Sequence, residues 1–352
     1  MDIRIDAERL RDRFRGCMVG LACGDALGMP VETLTAAQIL EATGGRGVTG
    51  YLAPLQRRFH STALLKPGQW TDDTQLSLAI ARSLIHCGEF DLDDIAAEHV
   101  LEYHKVRRGW GGSTTRGIAE LADGRRKPGA PVLVPEAHGL GNGVAMKIAP
   151  LALFDAFTCD EGRDCEYHDQ HAVTAFRGTV HELASLTHRD PCATHGAAAI
   201  AAAVFHAVGI AGNEPAKFRE PHQEFLSWAA AETHWPCPTH GHALYDACHL
   251  ALGEDAVFRR EGILRRTQSD VRESVPFVLA TCCMHLSSFR NGVLAAVNGG
   301  GDTDSNGAMV GAILGALHGF SAIPPEWAED LEAHDEIIAL ADQLFELVCS
   351  RK

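Results

Sequence analysis

The chain has 352 residues, 46% hydrophobic and 22% charged, a balance that supports a large apolar core and excludes a disordered polypeptide. Its formal net charge of −15 opposes a phosphate backbone, so nucleic acid is disfavoured as a partner. Eleven cysteines, an odd number without a C-x-x-C spacing, fit reduced core thiols better than a disulfide framework.

The opening stretch MDIRIDAERLRDRFRG is too charged for a signal-peptide core, so a cytoplasmic protein is expected. A glycine series follows, Gly16, Gly20, Gly24 and Gly28, within GCMVGLACGDALG. Four-residue spacing sets these glycines on one helical stripe, and each interior one forfeits about 1 kcal/mol of helix propensity relative to alanine. Gly- and Pro-marked turns are expected around 42–50 and 66–69. Helical periodicity then runs through TQLSLAIARSLIHC (74–87) and FDLDDIAAEHVLEYHKVR (90–107), with another turn around 124–135. HGAAAIAAAVFHAVGIAG (195–212) and PHQEFLSWAAAETH (221–234) are the next helices, joined by a turn around 212–221.

A second glycine series, Gly307, Gly311, Gly315 and Gly319, repeats the spacing of the first, and DEIIALADQLFELVCS (335–350) forms the last periodic helix. The two glycine stripes are expected to bring their helices together backbone to backbone, deep in the core. Convincing β-alternation is nearly absent, and no linker or fixed-period repeat occurs. These features give an all-α, compact multi-helix bundle forming a single domain over 1–352. No apolar run of about 18 or more residues is flanked as a membrane span, so no membrane is expected. Cys159, Cys165, His168 and His171 in one segment, and His234, Cys237, His240, His242, Cys248 and His249 in another, match no standard zinc spacing. They read as polar loops and core thiols, with zinc the lesser alternative.

Two acidic clusters stand apart from this pattern. Thr71, Asp72 and Asp73 in WTDDTQ precede one helix, and Asp302, Thr303, Asp304 and Ser305 in GGGDTDSNG precede another. One such pair alone is adequately explained as helix capping. Taken together, four carboxylates at two helix mouths, with hydroxyls beside them, form an all-oxygen set suited to Mg²⁺ or Mn²⁺. If the two mouths converge, they can hold two ions about 3.5–4 Å apart, the spacing of two-metal hydrolytic sites. The cations would then balance the crowded negative charge.

Together, GCMVGLACGDALGMPVE, WTDDTQLSLAIARSL, GNGVAMKIAP, SLTHRD and GGGDTDSNGAMVGAILGALHG resemble, in order and spacing over roughly residues 12–320, the ADP-ribosylglycohydrolase family. That resemblance implies an orthogonal multi-helix fold of this type, with two Mg²⁺ or Mn²⁺ in a cleft. The implied substrate is an ADP-ribosylated protein and the implied product ADP-ribose. Thr71, Asp72, Asp73, Asp302 and Asp304 match the family's metal ligands, and Ser305 the following hydroxyl position. Glu32 matches the acidic residue that reaches the metal and the distal ribose, so Glu32 and Asp304 are the candidate catalytic carboxylates. Asp25 reads as structural.

GWGGSTTRG (109–117) and GNG (141–143) read as glycine loops able to offer backbone N–H groups to a diphosphate. The resemblance raises Gly111, Gly112, Ser113, Asn142 and Gly143 to substrate ligands, and places His188 near the ligand. Trp110 and Phe289 are candidates for adenine stacking, with core or rim packing the plainer reading. Two features depart from the family pattern: RRGWGGSTT carries no acidic residue before its glycine-threonine loop, and Lys147 stands where arginine is frequent. Arginine N-glycosides are the favoured linkage and a monomer the expected state. Serine or other O-linked ADP-ribose, a non-catalytic crystallin-like binding protein and a Mg²⁺-dependent phosphohydrolase are the alternatives. Linkage specificity would fall to the rim loops around 52–68 and 104–116.

Overall fold

The computed structural model describes residues 7–55, 62–130, 139–155, 170–209, 229–231, 233–234, 244–246, 248 and 268–351. The helices that build the site are α1 (Ala7–Gly28), α2 (Ala36–Ala42), α3 (Asp72–Cys87), α4 (Leu92–His104) and α5 (Gly112–Ala122). Next in order come α6 (Ala149–Asp155), α7 (Gln170–Ser185), α8 (Pro191–Gly209), α9 (Val271–Met284) and α10 (Phe289–Val297). The last are α11 (Thr303–His318), α12 (Pro325–Glu329) and α13 (His334–Ser350). No strand occurs among the described residues, which contain two isolated bridges, Thr35 with Gly300 and Gly141 with Asp270.

Helices α1 and α11 form the most extensive helix pair and run antiparallel, as the glycine stripes predict. Gly16 meets Gly315, Gly20 meets Gly311, Gly24 meets Gly307, and Gly28 meets Thr303. A Cβ on Gly24 would lie 2.0 Å from Gly307 O, and one on Gly311 2.0 Å from Gly20 O. No side chain fits at this seam. Close backbone packing therefore offsets the poor helix propensity of glycine. Helices α8, α9, α10 and α13 pack around the pair, while α3 joins α4 and α13. The buried apolar residues form one continuous cluster from α1 to α13.

Several sequence expectations shift. The periodic stretch 90–107 ends as a helix at His104, and the chain beyond it reaches the cleft at Gly109–Gly111. Helix α8 begins at Pro191, four residues before the expected 195, because proline is tolerated in a first helical turn. With 19 residues and no charge, α8 is long and apolar enough to cross a bilayer, contrary to the sequence expectation, yet most of it is buried inside the protein as a core helix. Phe289 is likewise a core residue, 6.3 Å from the Trp327 ring and packed at Gly20, so it offers no face to a ligand. Most of the expected helix 221–234, the turn 212–221, Cys159, Cys165, His168, the His171 side chain, Cys237, His240, His242 and His249 lie outside the described residues. Of the second cluster, His234 stacks edge-on to Tyr245 at 4.8 Å and Cys248 is a buried thiol.

Candidate active site

The glycine seam brings two carboxylate-bearing segments to one end of the helix pair. Thr303 Oγ1 donates to Gly28 O over 2.7 Å, tying the end of α1 to the start of α11. Glu32 follows α1 after a short 3₁₀ turn, while Asp302 and Asp304 flank Thr303. Glu32, Asp302 and Asp304 each present a carboxylate oxygen, and these oxygens lie within 4.8 Å of one another. The segment after Glu32 is clamped to the glycine run: Thr33 N donates to Gly301 O (2.6 Å) and Gly301 N to Leu34 O (2.8 Å). The clamp holds Thr33 at φ 71°, a left-handed conformation that costs a β-branched residue energy and fixes the backbone beside Glu32. Gly300 answers the same demand at φ 84°, where a Cβ would fall 2.7 Å from Ala36 N.

The second carboxylate pair is positioned from beneath by Asp25, fully buried within α1. Asp25 accepts from Thr71 N (2.9 Å) and Thr74 N (3.0 Å), and its oxygens lie 2.8 Å from Thr71 Oγ1 and 2.6 Å from Thr74 Oγ1. Thr71 Oγ1 also approaches Asp73 Oδ2 at 3.1 Å. Thr71 therefore does not cap α3 with its side chain, and Asp302 does not cap α11. Asp304 Oδ1 still accepts from Ser305 N at 2.9 Å, so one backbone contact of an aspartate remains in the first turn of α11. Asp302 instead accepts at Oδ2 from Asn142 Nδ2 over 2.6 Å.

Burial raises the pKa of every aspartate of the cluster. Asp72 is pushed up to about 7, Asp302 upward, and Asp73 and Asp304 well above the usual carboxylate range. Desolvation is the largest cause throughout. Repulsion from Asp25, Asp72 and Asp302 adds to it at Asp73, and repulsion from Glu32, Asp302, Asp73 and Asp25 at Asp304. Asp73 Oδ1 is enclosed without a hydrogen-bond partner. Lys147 is the cation that favours ionised Asp72, but its own pKa is pushed down to about 7 by complete burial. Its Nζ lies 3.1 Å from His99 Nε2, while His99 Nδ1 faces Ile95 O at 2.8 Å. A carbonyl only accepts, so the His99 proton sits on Nδ1 and Nε2 accepts from Lys147.

One cleft of about 470 Å³ gathers these groups. Glu32, Asp72, Asp73, Asp302, Asp304 and Ser305 line it with Gly111, Gly112, Ser113, Asn142, Gly143 and His188. Of the expected site residues, Thr71 alone does not line the cleft, because its hydroxyl is turned to Asp25 and Asp73. His188 is buried with Nδ1 2.8 Å from Thr187 Oγ1, and burial drops its pKa to about 3, so the ring is neutral. Its ring packs so tightly on the GNG loop that a Cβ at Gly143 would fall 2.9 Å from His188 Cε1. Buried Arg126 fixes the loop around α5, donating to Gly117 O (2.9 Å) and Leu186 O (2.6 Å) and pairing with Glu120 at 3.1 Å.

Residues 6–352 match the ADP-ribosylglycohydrolase family. The chain belongs to the ADP-ribosylglycohydrolase family. It is 28% identical over 342 residues to the ADP-ribosyl-[dinitrogen reductase] glycohydrolase of Rhodospirillum rubrum, covering 96% of this chain and 97% of that protein. The ADP-ribosylarginine hydrolase Tri1 of Pseudomonas putida is 27% identical, covering 96% of this chain and 79% of Tri1. ADP-ribosylhydrolase ARH3 of Gallus gallus is 26% identical, covering 96% of this chain and 94% of ARH3. A solved ADP-ribosylglycohydrolase-related protein complex superposes with a TM-score of 0.68 at 25% identity, covering 97% of this chain and 99% of that one. The family thus identifies the chain as a glycosidase acting on ADP-ribose.

Sequence reasoning missed the far wall of this family's cleft. Leu140, Ser269 and Asp270 line it because the GNG loop pairs with the segment before α9: Asn142 N donates to Ser269 O (2.9 Å) and Val271 N to Leu140 O (2.8 Å). Asp270 caps α9 through Arg272 N at 2.9 Å. Its N-cap signature was readable in SDVRE, but nothing local announced its pairing with a loop about 130 residues earlier.

Proposed function

We propose that this enzyme hydrolyses the bond joining ADP-ribose to a modified protein side chain, arginine N-glycosides first, with two Mg²⁺ or Mn²⁺. The observation that carries this reading is the convergence of Glu32, Asp72, Asp73, Asp302 and Asp304 on one cleft, with Asp73 Oδ1 buried and lacking a donor. An all-oxygen donor set with so much unbalanced negative charge fits a hard divalent cation. Asp72, Asp73, Asp302, Asp304, the Ser305 hydroxyl and Thr71 would hold the cations, the last only if its hydroxyl swings from Asp25. When bound, such ions supply charge neutralisation and lower the pKa of bound water.

The chain's own residues perform the remaining tasks. The Gly111–Ser113 segment and the Gly141 and Gly143 backbone N–H groups hold the diphosphate, Asn142 N–H being engaged by Ser269 O, and neutral His188 packs on the second loop at the cleft wall. Glu32 or Asp304 takes the proton from the attacking water while the anomeric carbon gains oxocarbenium character. The C–N bond breaks, its electron pair leaves with the side-chain nitrogen, which takes up the proton that the carboxylate accepted from water, and the water oxygen completes the ribose. Asn142 holds Asp302, and the Asp25 network holds α3, so the carboxylates keep their geometry without reorganisation. Support for arginine comes from the relative named ADP-ribosylarginine hydrolase Tri1; an O-linked alternative meets the same test.

We further read residues 1–352 as a single cytoplasmic, monomeric domain. The deciding experiment supplies ADP-ribosyl-arginine and ADP-ribosyl-serine peptides with Mg²⁺, Mn²⁺ or chelator and follows free ADP-ribose by chromatography. Cation-dependent release from the arginine peptide is expected. Release from the serine peptide alone would reassign the linkage, and binding of ADP-ribose without release from either would indicate a non-catalytic member.

A further inference from the structure

Between Glu102 and Glu120 the sequence carries Lys105, Arg107, Arg108 and Arg116 and no acidic residue, in a chain whose formal net charge is −15. This segment forms one lip of the cleft, since Gly109 through Thr114 line it. Two of its cations are neutralised internally. Lys105 Nζ lies 2.8 Å from Glu102, and Arg108 makes a two-pronged pair with Glu332 while stacking on Trp70 at 4.9 Å.

Arg107 and Arg116 are treated differently. Both are exposed, and neither has a carboxylate within ion-pair distance among the described residues. The Arg107 guanidinium lies 4.4 Å over the Tyr103 ring, and its Nη1 donates to Tyr103 O at 3.1 Å, which pre-orders it without neutralising it. Arg116 occupies the first turns of α5, three and four residues after Ser113 and Gly112, and so shares their helix face. Val106 between the basic residues is 68% exposed.

Neither guanidinium lines the cleft itself. A nucleotide held inside would be served by the glycine loops, whereas Arg107 and Arg116 flank the cleft-lining run Gly109–Thr114 on either side in sequence and are left exposed outside it. We propose that Arg107 and Arg116 form a docking lip for an acidic stretch flanking the modified side chain, selecting proteins modified beside Asp or Glu. The charge of the rest of the chain argues against a polynucleotide as the occupant, since it would repel a long phosphate backbone. A short acidic peptide meets only the lip. The inference takes its substrate from the hydrolase reading above, but the docking itself can be measured without turnover.

The test compares wild type with R107E/R116E, using fluorescence anisotropy of a labelled Glu/Asp-rich peptide, a Lys-rich peptide and a single-stranded oligonucleotide of equal length, beside affinity for free ADP-ribose. Preferential binding of the acidic peptide, weakened roughly tenfold by the double reversal and by added salt, with ADP-ribose affinity unchanged, is the expected result. In turnover, the KM of an acid-flanked ADP-ribosylated peptide should rise in the variant while kcat holds, with free ADP-ribosyl-arginine as the reference. Equal binding of the acidic peptide by both proteins would overturn the proposal, as would a matching loss of ADP-ribose affinity or tighter binding of the oligonucleotide. Absence of turnover by wild type would count against the hydrolase reading and leave the binding comparison to decide the lip.

Discussion

Asp25 and Thr71 are joined twice, through the Thr71 backbone N–H at 2.9 Å and its hydroxyl at 2.8 Å, so the floor of the carboxylate cluster is a buried acid that never reaches the cleft. Thr74 repeats both contacts at 3.0 and 2.6 Å. Asp25→Ala would leave two backbone N–H groups and two hydroxyls buried without acceptors. A loss of about 3 kcal/mol in stability is expected, read by urea unfolding, together with loss of activity. Unchanged activity in the variant would show that the α3 start holds its place without this network.

The glycine seam makes a sharper stability statement. Gly311→Ala drives a methyl group to within 2.0 Å of Gly20 O, where backbone cannot yield cheaply. The cost should reach about 3 kcal/mol or more and appear as a lowered Tm. Gly178→Ala is the control, because that glycine lies exposed in α7 with nothing within 4 Å of a Cβ. It should gain about 1 kcal/mol from helix propensity.

That seam was legible because four-residue periodicity is written locally in the sequence, and so were the two acidic motifs, whose helix positions follow from short-range pattern. The direction of a hydroxyl is not written locally. Thr71 carries a metal-ligand signature, yet in the fold it serves Asp25; Asn142 carries a nucleotide-loop signature, yet its side chain grips Asp302. Asp270 escaped notice because its place depends on a loop pairing across distant sequence, and Phe289 was a stacking candidate only until α10 packed it against Trp327.

Acid should destabilise the protein partly through His206. Burial lowers its pKa from 6.5 to about 4, so between those values the unfolded state binds more protons than the folded state. Stability from this group is therefore present near pH 7 and lost as pH falls towards 4. Urea unfolding at pH 7 and pH 5 should show His206→Gln losing about 2 kcal/mol less than wild type over that interval. An identical loss in both proteins would remove His206 from the acid response.

Cation binding should be visible without substrate. The proposed Mg²⁺ or Mn²⁺ would bind only the assembled cluster, so each should raise Tm over the chelated protein, and Asp302→Ala or Asp304→Ala should abolish that gain. A metal-induced shift that survives both substitutions would place the ion elsewhere.

The most direct measurement is turnover of ADP-ribosyl-arginine by wild type, by chelated wild type restored with Mn²⁺, and by Asp304→Asn, with free ADP-ribose quantified by chromatography. Hydrolysis by wild type, its loss on chelation and recovery with Mn²⁺, and a decrease of about a thousandfold or more in Asp304→Asn are expected. Hydrolysis that continues undiminished in chelator, or in Asp304→Asn, would contradict a cation-dependent reaction at this carboxylate cluster.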